Sequence, residues 1–577
     1  MPVQPIPPNR SNESGIALIS ALLLGIVGIL LTIGLLTYAM GSEPLAKRHT
    51  DWNAALGAAQ AGVDDYIYRL NKDPEYWHYG YDTPVPGDNA ALTTFVEVPG
   101  AKPTDSITPQ FKYRVLSPPN PTTGARIILE VTGKVGNVQR TMRASLARRG
   151  FMDYMYFTDY EQQDPILSDN ATLAAQVCTH WYDPPVSGYD RDDECTAIGF
   201  GGGDVINGPL HTNDSIGVNG VVTFNGRTTS SWDTAKETPV PTRKWRNING
   251  NGVPTFPANQ GGLNGNPIFA TRLDLPSSNA KLFDIAETGG CVYTGPTKIT
   301  LNSNGTMNVA SPNSTRMVNP GCGTVSATNG VNATGLSLPA NGVLYVQAKP
   351  TSGPYSTSVC KMTNLPPNDA TNAADYNQPY YGCDKGDVFI QGTLKGRLTV
   401  GAARDINIID DTVYNTPPAS VNATDMLGLI ANNFVQTYHP INCGTDNRGR
   451  QRRASATANM FITPSVAASS SALANYACSN INPIMNLKVN AAILVLNHSF
   501  RVPEYRQGAD MGTLTVDGGI AQKYRGAVAL LSWSKRSGYM KAYTYDKRLS
   551  YQSPPHFLDP VKSSWQSTSW METKAGS

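Results

Sequence analysis

Eight cysteines give this 577-residue chain its clearest capacity for covalent chemistry: Cys178, Cys195, Cys291, Cys322, Cys360, Cys383, Cys443 and Cys478. An even number, none of them in the first 177 residues, reads as disulfides made in an oxidising compartment. No pair has C-x-x-C spacing, which argues against zinc or thioredoxin-type chemistry. Short loops cost the least entropy to close, so the expected pairing is between sequence neighbours, 178–195, 291–322, 360–383 and 443–478.

A second group is ionic. Arg448, Arg450, Arg452 and Arg453 lie within six residues. Guanidiniums this close repel one another, so they belong either in a solvated loop or around an anionic polymer. Asp190, Arg191, Asp192, Asp193 and Glu194 offer oxygens to calcium but lack the EF-hand spacing and its glycine, which favours a solvated loop. Asp204 and Asp387 would suit glycosidic chemistry only if two carboxyls met at a defined separation. GxSxG, HExxH, P-loop and post-strand GxGxxG patterns are all missing, and the seven histidines are scattered. The expectation is a protein with no catalytic residues, metal, cofactor or small-molecule substrate. With 46 basic and 44 acidic side chains the net charge is +2, which removes any bulk-electrostatic case for a nucleic-acid binder.

The elements that must carry these residues begin with a membrane segment. Ser14–Ser42 has no charge and is flanked by Glu13 and Glu43. Within it, Ile16–Met40 is long enough as a helix to cross a hydrocarbon core of about 30 Å. It is too long for the apolar region of a signal peptide and is followed by no small-residue cleavage motif. Trp52, Ala55, Leu56, Ala59, Val63, Tyr66, Ile67 and Leu70 then keep a 3-and-4 spacing, so an amphipathic helix follows over 41–70, bent at Pro44. Asn71 and Asp73-Pro74 supply the stop. Residues 111–117, 126–132 and 138–146 read as antiparallel strands, which makes 71–150 a small α+β unit beside that helix.

The run Glu13-Ser-Gly-Ile-Ala-Leu-Ile-Ser20, a polar leader ending in glycine before an all-apolar helix, resembles the N-terminus of type IV prepilins, and the PilX-like minor pilins in particular. The resemblance implies a leader of residues 1–15 removed by prepilin peptidase at the Gly15–Ile16 bond. It also implies that the new N-terminal helix packs among other pilins. Major pilins carry a glutamate five residues into the mature chain; Ser20 stands there, which points to a minor or accessory subunit. The charge bias around the helix, Arg10 before it and Lys47 and Arg48 after it, leaves orientation open.

Beyond Phe151 short Val/Ile/Leu alternations are punctuated by Gly and Asn, as stacked solenoid rungs require. A right-handed β-helix is favoured over 195–420, within an exterior domain spanning 151–420; a β-sandwich is the alternative. Gly208-Pro-Leu-His-Thr-Asn213 resembles the exterior regions of actinobacterial pilus-type proteins. Residues 421–577 complete the exterior domain, their apolar runs too short to span a membrane, and end in an extended surface tail. The fold class is thus α+β to mainly β. The function implied is a minor pilin or pilus-assembly component, single-pass in the cell membrane, with a large extracellular part used for adhesion or for tip or complex formation. Its partners are membrane lipid, prepilin peptidase, other pilins, and a surface polymer or DNA. The alternatives are a membrane-tethered adhesin or wall-binding protein outside any filament, and a surface carbohydrate-active enzyme.

Overall fold

The computed structural model describes residues 14–573 other than 183–194, 350–384, 444–477 and a number of shorter loop stretches. The chain divides into two compact units, one formed by 1–118, 127–147 and 565–577 and the other by 119–126 and 148–564. It is mainly β, with one long N-terminal helix.

That helix, α1 (Ser14–Lys72), is a single element of 59 residues that continues through Pro44. In the first unit it lies against strands β1 (Val96–Glu97), β2 (Gln110–Ser117), β3 (Arg126–Val135) and β4 (Val138–Arg148). The sheet runs β1-β2-β3-β4 and ends in a strand from the other end of the chain, Trp565–Thr573. β2 and β3 are antiparallel with Tyr113 opposite Val131. Period-2 alternation turns Phe111, Tyr113, Ile127, Leu129, Val131, Met142, Ala144 and Leu146 toward Ala59, Val63, Tyr66 and Leu70 of the helix. Helix and sheet approach closely because two contact positions are glycine. A Cβ on Gly133 would sit 2.0 Å from the Ala55 carbonyl oxygen, and one on Gly62 would sit 2.6 Å from Val131 Cγ1.

The expected extended surface tail contains a sheet strand, Trp565–Thr573. Trp565 is only 5% exposed and belongs to the same core as Tyr66 and Leu146. An 80-residue unit at 71–150 is therefore incomplete by itself. The sequence hides this because Trp565–Thr573 is exposed along most of its length and has no amphipathic alternation to mark it.

The second unit is dominated by parallel pairing. One ladder runs 291–294, 343–347, 397–402, 426–431, 488–495 and 510–524, each strand parallel to the next. It does not stop there. Ile520 pairs with Tyr156, and 156–160 continues the ladder to 210–212, 228–230 and 268–269. A second ladder runs 297–301, 388–394, 406–414, 435–437 and 500–501. Along the strands alternate residues serve two cores: Leu344, Val346, Leu427 and Leu429 enter the larger one, while Val343, Tyr345, Met426 and Ile430 enter the other. At the 291 end the parallel order gives way to antiparallel strands 297–301, 306–311 and 330–337, whose Met307, Val309 and Val331 join the larger core.

The first strands of this unit thus stack on its last ones, and the chain must return from 269 to 291. It does so along the ladder. Leu273 N–H donates to Asn213 Oδ1 at 2.9 Å, and Asn279 Nδ2 donates to the carbonyls of Ala402 at 2.8 Å and Ile430 at 3.1 Å. The helix Ala280–Gly289 then buries Leu282 and Ala286 beside Val343 and Tyr345.

Candidate functional site

The residues with the plainest functional signature are those of α1, because one helix meets two environments. Leu18–Leu36 has a mean hydropathy of 2.7 and none of it is buried, so it is long and apolar enough to cross a membrane. Leu24, Leu35 and Leu18 are 66–73% exposed. The Thr32 hydroxyl donates to the carbonyls of Gly28 at 3.0 Å or Ile29 at 2.8 Å, so the helix itself satisfies that polar group. Gly15 and Ile16 stand in the first turn of α1, and Met40 lies within it.

The second half is a docking surface already in use. Ala55, Ala59, Tyr66 and Leu70 have no exposed area. A polar network holds this end of the helix in register. The Tyr113 hydroxyl donates to Asp65 Oδ2 at 2.8 Å, Arg69 Nε donates to the same oxygen at 2.9 Å, and Asn89 Nδ2 donates to the Tyr113 hydroxyl at 2.7 Å and to that of Tyr76. Burial raises the Tyr113 hydroxyl well above the usual tyrosine range, and the nearby Asp65 carboxylate adds to the shift, so it remains a donor. Burial does the same to Tyr66. The i,i+4 spacing of Asp65 and Arg69 was legible in sequence. Asn89 was not, because it comes from a loop that no pattern ties to the helix.

The cysteines divide into three groups. Cys178–Cys195 and Cys291–Cys322 are disulfides. Cys443 and Cys478 are opposite one another in a two-stranded antiparallel sheet of 441–443 and 478–480. Cys360 and Cys383 lie outside the described residues, as do Arg448, Arg450, Arg452, Arg453 and the acidic run 190–194.

Asp204 and Asp387 are each buried in a separate ion pair. Lys541 Nζ donates to Asp204 Oδ2 at 3.0 Å. Arg404 grips Asp387 through two bonds of 2.7 Å. Of the histidines, His498 Nδ1 is 2.8 Å from Asp164 Oδ2 and stacks on Phe434. His439 is 1% exposed; its Nδ1–H donates to the Pro503 carbonyl at 2.6 Å. Among the described residues no three or more His, Cys, Asp or Glu side chains converge as a metal site would require.

No protein-family model and no curated protein matches the chain. Among solved structures it is similar to the competence-associated pilin ComZ from Thermus thermophilus, at 12% identity over 91% of this chain and 98% of that one, with a TM-score of 0.26. At that TM-score the likeness carries no weight for fold or function.

Proposed function

We propose that the chain is a minor pilin or pilus-assembly component of a type IV pilus-like system. Residues 16–40 hold it in the membrane as a single-pass anchor before assembly, and the unit of 148–564 serves adhesion or formation of a tip complex. The carrying observation is the division of α1: one uninterrupted helix has an exposed apolar stretch over Leu18–Leu36 and a buried stretch from Ala55 to Leu70 on an antiparallel sheet. A plain tether needs only the apolar stretch. A rigid rod continuous with a folded head suits a subunit that must leave the bilayer and pack its apolar half against other helices, because the helix then transmits its position to the head.

The polar leader ending at Gly15 supports cleavage by a prepilin peptidase. For the large unit the reading is a β-helix, right-handed by the usual preference for parallel crossovers. The long parallel ladders support it over a sandwich, which is built from antiparallel sheets packed face to face.

The test is the mature N-terminus. Intact mass of protein from its native membrane should show loss of the first 15 residues, and Gly15→Trp should retain them and keep the chain out of shed filaments. A dominant species starting at Met1 or Pro2 would leave a membrane-tethered adhesin as the better reading.

A further inference from the structure

The helix–sheet unit is closed by a strand that lies more than four hundred residues after β4 in the chain. Between β4 and Trp565 the chain leaves for the whole 148–564 unit and then returns. It brings back a set of contacts to α1 and β4. Trp565 enters the core, and its backbone N–H donates to Asn71 Oδ1 at 2.7 Å in the last turn of α1. Thr568 Oγ1 donates to the Ser145 carbonyl at 3.0 Å. Arg140 Nε and Nη2 clasp the Glu572 carboxylate at 2.7 and 2.5 Å, with the Arg140 guanidinium 4.5 Å from the Trp52 ring centroid. Without this strand β4 is an open edge, and the core beside Tyr66 and Leu146 lacks its tryptophan.

The two ends of the inserted unit are neighbours within it. A Cβ on Gly150 would sit 3.8 Å from Asp559 Oδ1, and Arg148 acts electrostatically on Asp559. Once this unit has folded, the returning chain starts beside the point where it left. Before then, the strand hangs on a loop of more than four hundred residues.

We propose that Trp565–Thr573 is a latch, which completes the helix–sheet unit only when the inserted unit has folded. Effective concentration falls roughly as the −3/2 power of loop length, so exchanging a closure of about ten residues for one of about four hundred weakens the latch by about 250-fold. A chain with a misfolded or truncated exterior therefore carries an unfinished head on its apolar helix.

The experiment is hydrogen exchange by mass spectrometry on the full chain in detergent micelles across a urea series. Arg525→Met serves to weaken the inserted unit, in which both Arg525 and its partner Glu161 lie. At urea concentrations where 488–524 has opened, amides of β4 and of α1 55–70 should lose about 250-fold of their protection, at a lower midpoint in Arg525→Met than in wild type. Trp565→Ala should do the reverse: it should lower protection in β4 and α1 55–70 by about 100-fold and leave the 488–524 midpoint in place. The proposal fails if β4 keeps its wild-type protection while 488–524 is open. It fails equally if Trp565→Ala leaves β4 unchanged.

Discussion

Arg525 and Glu161 are 364 residues apart in sequence, and Arg525 Nη1 donates to Glu161 Oε2 at 2.5 Å. Both side chains are almost entirely excluded from solvent, 1% and 0% exposed. The pair marks the place where the long strand 510–524 meets the first strand of the large unit, 156–160. The backbone N–H of Arg525 is also shared between the carbonyls of Tyr160 at 3.2 Å and Gln162 at 3.1 Å. The guanidinium lies 3.6 Å from the centroid of the Phe200 ring.

Removing one partner strands a buried charge. Arg525→Met or Glu161→Gln should cost about 3–5 kcal/mol in urea unfolding of the large unit. A double variant, Arg525→Met with Glu161→Leu, should recover part of that loss, since no unpaired charge remains.

Gly133 leaves no room for a side chain. Gly133→Ala drives a methyl group into the Ala55 carbonyl and the Ala59 amide nitrogen, 2.0 and 2.5 Å from the new carbon. Both are helix backbone and cannot rotate away. The expected cost is about 3 kcal/mol in the helix–sheet unit, read as faster amide exchange in α1 55–70, with the large unit unaffected.

His439 makes the large unit sensitive to acid. Burial holds its imidazole below the usual histidine range, although the Pro503 carbonyl pulls the other way. Its Nε2 has no hydrogen-bond partner among the described residues. The unfolded chain takes up this proton at about pH 6.5, whereas the folded chain takes it up only at lower pH. Stability from this residue is therefore unchanged above that pH and falls as the pH drops below it, by up to about 1.4 kcal/mol per pH unit. Unfolding midpoints at pH 7.5 and 5.5 should lie closer together in His439→Asn than in wild type.

The two disulfides should differ in worth. They close sequence separations of 17 and 31 residues. Loop entropy makes the longer one more stabilising by about 0.5 kcal/mol, out of about 2–4 kcal/mol each. Cys291→Ser/Cys322→Ser should lower the urea midpoint more than Cys178→Ser/Cys195→Ser does. Non-reducing peptide mapping should return both pairs. It should also return Cys443–Cys478, whose cross-strand register puts the two α-carbons within bridging reach.

Local signals were legible where one element carried its own pattern. The 55–59–63–66–70 stripe marked the docking face of α1, and alternation marked β2, β3 and β4 to within a few residues of their ends. Neighbouring cysteines marked the two bridges because short loops are the least costly to close. Pro44 does not end the helix: α1 runs from Ser14 to Lys72 across it. Trp565–Thr573 carries no strand signal in sequence, because an edge strand with little buried surface has no alternation to show.

The sequence by itself determined an apolar helix of membrane length, its amphipathic continuation, three strands to receive it, and a Gly- and Asn-punctuated β region beyond. Each of these follows from the chemistry of residues a few positions apart. Only the tertiary structure decided that residues 565–573 complete the first sheet, that 156–160 stacks on 510–524, and that Arg525 finds Glu161 there. Strand pairing is made by backbone groups that every residue carries, so hydrogen bonds alone leave the partner of a strand undetermined. The choice falls to burial summed over the whole fold, in which Trp565 closes one core and Tyr156 and Ile520 share another.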